Sequence, residues 1–124
     1  MPRRILFLFL LLMLPAPSAA QVKLGPKTIQ FCFWNVENLF DDRPNPKLDE
    51  PDRSFDLYFS KDPEALQFKL DRLVEVLLGK EFNGRGPDIL CIAEVESQRA
   101  VELVQRELNR KLKDKNHHYT HLVY

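Results

Sequence analysis

The sequence predicts an α/β fold built on a largely parallel sheet, and three observations carry that prediction. Thr28–Val36 and Ile89–Ala93 are short, nearly continuous apolar runs, as strands covered on both faces are. Two amphipathic stripes follow them at helical spacing: Leu66, Leu70, Leu73, Val74 and Leu77, then Ala100, Val104, Leu108 and Leu112. Strand and helix signals alternate in the order βαβαβ, and parallel strands joined by helices cross over right-handed.

Each element has a local reason. The first strand, TIQFCFWNV, is rich in β-branched and aromatic residues. Asn38–Phe59 is rich in Pro and Asp and reads as a long exposed excursion. Its acidic residues from Asp41 to Asp56 lack the EF-hand spacing and central glycine, so a solvated loop is expected rather than a calcium site. Asp62-Pro63 supplies a cap and a first-turn proline for the next helix, and Gly79 a stop. Arg85-Gly86-Pro87-Asp88 makes a turn into the second strand. Ser97 caps a second helix, Lys113–Asn116 is a polar turn, and Tyr119–Tyr124 is expected to start a third strand.

Composition narrows the class. The 124 residues hold 18 Lys+Arg against 18 Asp+Glu, with 44% in the apolar set. This is ordinary globular composition, neither disordered nor disulfide-dense. A near-neutral chain lacks a broad basic face, so any polyanion chemistry must be local or metal-assisted. Cys32 and Cys91 have no metal-ligand spacing, and both sit inside apolar runs. Buried free thiols are expected, although export would permit a bridge.

The N-terminus reads as an address. Arg3-Arg4 precede an apolar core, Ile5–Leu14, broken by Pro15 and Pro17, and Ser18-Ala19-Ala20 fit a signal-peptidase site. Ten apolar residues rise about 15 Å as helix, half of a roughly 30 Å hydrocarbon core, so no permanent span is expected. Residues 1–20 are therefore read as a signal peptide cleaved near Ala20–Gln21, residues 21–27 as a short linker and residues 28–124 as the domain. The product is expected to be secreted or periplasmic, with no stable membrane span and no oligomer implied.

In parallel α/β sheets, ligands gather beyond the carboxyl ends of the strands. The first strand ends Trp34-Asn35-Val36-Glu37 and the second Ala93-Glu94-Val95-Glu96. If the two are neighbours, Asn35 and Glu94 stand side by side at that edge. A carboxylate beside a carboxamide suits a hard cation such as Mg²⁺, which keeps several waters and takes further oxygens from phosphate. The alternative is that both residues merely end strands and face water.

WNVENLFD (Trp34–Asp41) followed by GPDILCIAEVES (Gly86–Ser97) resembles the endonuclease/exonuclease/phosphatase superfamily, whose fold is that of deoxyribonuclease I. The resemblance runs from about Thr28 to Tyr124, and NVENLFD and EVES look most like its secreted bacterial branch. It implies the N-terminal βαβαβ portion of a four-layer α/β sandwich, incomplete in this chain. It also implies a Mg²⁺-dependent phosphoesterase, with Mn²⁺ as the alternative ion. By similarity Glu94 matches the metal-ligating glutamate and Asn35 the asparagine at the metal and scissile phosphate. Glu37 falls where the family often carries a second acidic residue. The implied substrate is a phosphate ester: a nucleic acid, or a phospholipid or inositol phosphate head group. The family's Asp-x-Asn pair and closing Ser-Asp-His belong to its later half, so no catalytic acid or base is expected in this chain. His117, His118 and His121 are expected at exposed or strand-edge positions. The resemblance thus leaves two functional readings, an exported phosphoesterase inactive as this chain alone, or a non-catalytic fragment that binds a metal or partner.

Overall fold

The computed structural model describes residues 28–124, so the proposed signal peptide and linker lie outside the described residues. The order of elements is β1 (Phe31–Leu39), α1 (Asp52–Lys61), α2 (Pro63–Leu77), β2 (Ile89–Val95) and α3 (Gln98–Lys111), with short 3₁₀ turns at Lys80–Phe82 and Lys115–His117. β1 and β2 pair in parallel, with Phe31 opposite Ile89 and Asn35 opposite Ala93. The α/β class and parallel pairing agree with expectation. Among the described residues no helix is long and apolar enough to cross a membrane.

The helix starts follow their sequence signals. The Asp62 side chain accepts from the Ala65 amide at 2.9 Å, with Pro63 in the first turn, and Ser97 Oγ accepts from the Ala100 amide at 3.1 Å. Leu66, Leu70, Leu73, Val74 and Leu77 of α2 and Ala100, Leu103, Val104 and Leu108 of α3 form one buried cluster. Cys32, Trp34, Leu90 and Ile92 of the sheet pack against it. The alternation of β1 sends Phe31 and Phe33 to the other face, where they are 60% and 68% exposed. Among the described residues the sheet is therefore covered on one side and not on both as expected, and its outer face is an apolar surface.

Two further expectations need correction. Asn38–Phe59 is not simply a solvated excursion. It contains α1, and Phe40, Asp41 and Asp56 are buried. Phe40 stacks on Phe55 and Phe59, with ring centroids 6.2 and 6.4 Å away, and Phe59 in turn packs against the main core, so the segment is an extension of that core. Secondly, Tyr119–Tyr124 forms no strand; the sheet has two strands among the described residues. The reason lies at Tyr119. Its amide donates to Asn109 Oδ1 at 2.8 Å, and its carbonyl accepts from Gln105 Nε2 and Asn109 Nδ2 at 2.8 and 3.0 Å. Side chains of α3 thus occupy the groups that a ladder would need.

The Tyr119 hydroxyl then donates to the Pro87 carbonyl at 2.6 Å, tying the tail to the turn before β2. Gly86 is required there. Its φ is +75°, and a Cβ would lie 2.5 Å from the Tyr119 hydroxyl oxygen. Burial pushes the Tyr119 phenol up to about 12.

Candidate functional site

The carboxyl ends of β1 and β2 are where the sheet becomes irregular. Register holds to Asn35 opposite Ala93 and resumes at Leu39 opposite Val95, so Val36, Glu37 and Asn38 face Glu94 alone. Glu37, Asn38 and Glu94 take left-handed backbone angles, with φ of 51°, 58° and 58°. A non-glycine residue there costs on the order of 1–3 kcal/mol and persists only where its surroundings enforce it. Three of the four non-glycine residues with positive φ among the described residues meet at this edge. A bulge of this kind re-aims side chains. It turns Glu94 away from the core-facing alternation of Leu90 and Ile92.

Asn35 Nδ2 donates to Glu94 Oε1 at 2.6 Å, and the Glu37 amide donates to Asn35 Oδ1 at 2.9 Å. Both ends of the carboxamide are thus committed, and each requires the same orientation. Glu94 Oε2 has no hydrogen-bond partner among the described residues. Lys69 of α2 completes the arrangement, its Nζ donating to the carbonyls of Glu37 and Asn38 at 2.5 and 3.0 Å. The Lys69 ammonium is half-buried, lies 5.6 Å from the Phe59 ring centroid, and is held below its ordinary pKa by that burial. A shallow cleft of about 350 Å³ opens between β1 and α2, lined by Asn35, Glu37, Lys69, Arg72 and Trp34 among others, with Glu94 outside its lining.

Behind this edge a polar network fixes the excursion to β2. Glu96 accepts from Asn45 Nδ2 at 3.1 Å and from the Asp41 amide at 3.3 Å, and Asp56 Oδ2 accepts from the Asn45 amide at 3.0 Å. Asp41 accepts from the Ser97 hydroxyl at 2.6 Å. Burial raises the Glu96 carboxyl above its ordinary value, whereas the two-pronged hydrogen bonds from Arg99, at 2.8 and 2.9 Å, hold Asp42 below its own. Glu96, Asp41 and Asp56 are engaged in structure.

The structure therefore brings Asn35, Glu37 and Glu94 to one edge. The histidines are elsewhere. His117, His118 and His121 line a cavity of about 530 Å³ together with Gln30 and Asp88, which precede the two strands, so it lies at the opposite end of the sheet. The sequence does contain one Asp-x-Asn string, Asp114-Lys115-Asn116, at that same far end. There the Asp114 side chain accepts from the Asn116 amide at 2.9 Å, a capping turn with no connection to Glu94. Cys32 and Cys91 are both free. Cys32 faces the helices and Cys91 the other side, and burial, then the neighbouring Cys91, raises the Cys32 thiol. Among the described residues no three His, Cys, Asp or Glu side chains form a cluster able to hold a metal ion. Any ion here would depend on one well-placed carboxylate, water and substrate oxygens.

Sequence reading missed Lys69. It sits between Phe68 and Leu70 in an apolar stripe, and nothing in its spacing points to the end of β1.

The model of the Endonuclease/Exonuclease/phosphatase family matches residues 30–123. With most of the chain inside that match, this protein belongs to the endonuclease/exonuclease/phosphatase family. Comparison with curated proteins and with solved structures gives no match.

Proposed function

We propose that the chain carries the metal-binding edge of an exported, Mg²⁺-dependent phosphoesterase, with Mn²⁺ as an alternative ion. The observation that supports this most is the Asn35–Glu94 pair, 2.6 Å apart at the carboxyl end of two parallel strands in a chain of this family. The donor set fits a hard cation. Glu94 offers an oxygen with no other partner among the described residues, Asn35 orients that carboxylate, and Glu37, whose amide fixes Asn35, is the weaker candidate for a second acidic ligand. Bound there, the ion would polarise a phosphoryl oxygen and stabilise the leaving oxygen. Lys69 and Arg72 line the adjoining cleft, but Glu37 lines it too and Arg72 is paired with Glu75 at 2.7 Å, so an anionic ester, of nucleic acid or of a lipid or inositol head group, would be held mainly through the ion. Export, with cleavage near Ala20–Gln21, belongs to the same reading; N-terminal sequencing of the exported product checks it.

The second reading, a non-catalytic fragment that binds a metal or a partner, rests on the capping role of Asp114-Lys115-Asn116, which ties up that Asp-x-Asn string in a local turn. Among the described residues the three histidines lie at the opposite end of the sheet from Glu94, so none of them is placed to act as general base there. The expected result is that the purified chain binds Mg²⁺ but turns over neither plasmid DNA nor bis-(p-nitrophenyl) phosphate above background. Catalytic groups act as a unit, and metal plus binding groups alone retain only a remnant of the rate. Turnover that survives Glu94→Ala would show that the chemistry lies elsewhere in the chain.

A further inference from the structure

We infer that Lys69 is the positioning residue of this edge: it holds the Glu37–Asn38 turn left-handed and so sets the orientation of the Asn35–Glu94 pair. The relay is continuous. Lys69 Nζ gathers the carbonyls of Glu37 and Asn38 at 2.5 and 3.0 Å. Those two residues have φ of 51° and 58°; asparagine tolerates such an angle, but Glu37 avoids it unless held. With the turn so fixed, the Glu37 amide faces Asn35 Oδ1 at 2.9 Å. That bond leaves only Asn35 Nδ2 to meet Glu94, which it does at 2.6 Å. One oxygen of Glu94 is thereby engaged and the other presented. A side chain on a helix thus governs a carboxylate on the far strand without touching it.

Bonds from an ammonium to two carbonyls are charge-assisted, and the half-buried setting strengthens them. Lys69 has no carboxylate within ion-pair distance among the described residues, so the backbone of this turn is its main polar partner. Phe59 beneath it limits the directions the side chain can take.

The consequence for cation affinity rests on the functional reading above, but the relay itself is visible without metal. In the metal-free chain, NMR is expected to show Asn35 side-chain amide protons shifted and protected by their bonds to Glu94. Lys69→Met should return them to the positions of a solvent-exposed amide while the thermal melt stays cooperative. Lys69→Arg, which still carries donors to the two carbonyls, should restore the wild-type pattern. Should the methionine variant not fold, Lys69→Gln, whose donor falls short of the turn, serves the same purpose. Titration with Mn²⁺ then reads the second step, with affinity falling about tenfold in Lys69→Met, the effect usual for groups that orient a ligand, and recovering in Lys69→Arg. Unchanged Asn35 signals in a folded Lys69→Met or Lys69→Gln chain would overturn the relay. Altered signals in a chain whose wild type binds no Mn²⁺ would uphold the relay and reject the metal reading alone.

Discussion

On the proposed reading, replacing Glu94 with glutamine is expected to abolish Mn²⁺ binding at this edge while leaving the fold in place. The substitution is nearly isosteric, and a glutamine carbonyl can still accept the Asn35 Nδ2 bond, which is 2.6 Å in the native pair. What it removes is the charge. No three acidic or histidine side chains cluster among the described residues, so little else is at hand to compensate. On that same reading an ion there would have few protein oxygens, and loss of the charged one should lower Mn²⁺ affinity by well over about tenfold, more than loss of an orienting group does. Asn35→Ala is the comparison. It keeps the carboxylate but frees it to rotate, so a weakening of about tenfold is expected there. Paramagnetic broadening of backbone amides by Mn²⁺ measures both, because the effect is confined to the ion's neighbourhood. Broadening around Asn35 and Ala93 that persists undiminished in Glu94→Gln would show that the cation sits on another group.

How far the sequence exposed this site depends on the range of each contact. Asn35 and Glu94 were readable because their positions follow from strand ends, and a parallel pairing brings strand ends together. The caps at Asp62 and Ser97 were readable because a cap is a contact between residues three apart. Lys69 was not, since its bonds reach back 32 and 31 residues to a turn whose left-handed angles only Asn38 hints at. Asp41 and Asp56 look like loop acids by composition, yet their burial depends on Ser97 and Asn45 supplying donors after the chain has closed. The same holds at Tyr119. Its β-rich surroundings promise a strand, but Gln105 and Asn109 claim its backbone first. Periodicity finds elements and their ends. It does not find which polar side chain will spend its hydrogen bonds on a distant backbone.

Leu77→Ala is expected to cost about 2–5 kcal/mol, the range for truncating a buried leucine and leaving a cavity. Leu77 is 1% exposed and belongs to the cluster that joins α2, α3 and the inner face of the sheet. Small domains hold only about 5–15 kcal/mol in total, so this single change consumes a large share. At a urea dependence of about 1–3 kcal/mol per molar, the unfolding midpoint falls by roughly one molar or more. Phe33→Ser supplies the contrast. Phenylalanine is the larger residue, but Phe33 is 68% exposed on the outer face of β1. Its replacement removes little burial within the chain and dilutes an apolar surface, so stability should change by less than about 1 kcal/mol. The two midpoints, measured at low protein concentration, decide which side of the sheet is the core. If Phe33→Ser proved as costly as Leu77→Ala, the outer face would have to be covered in solution, and a second measurement at higher dilution would show whether another copy of the chain covers it.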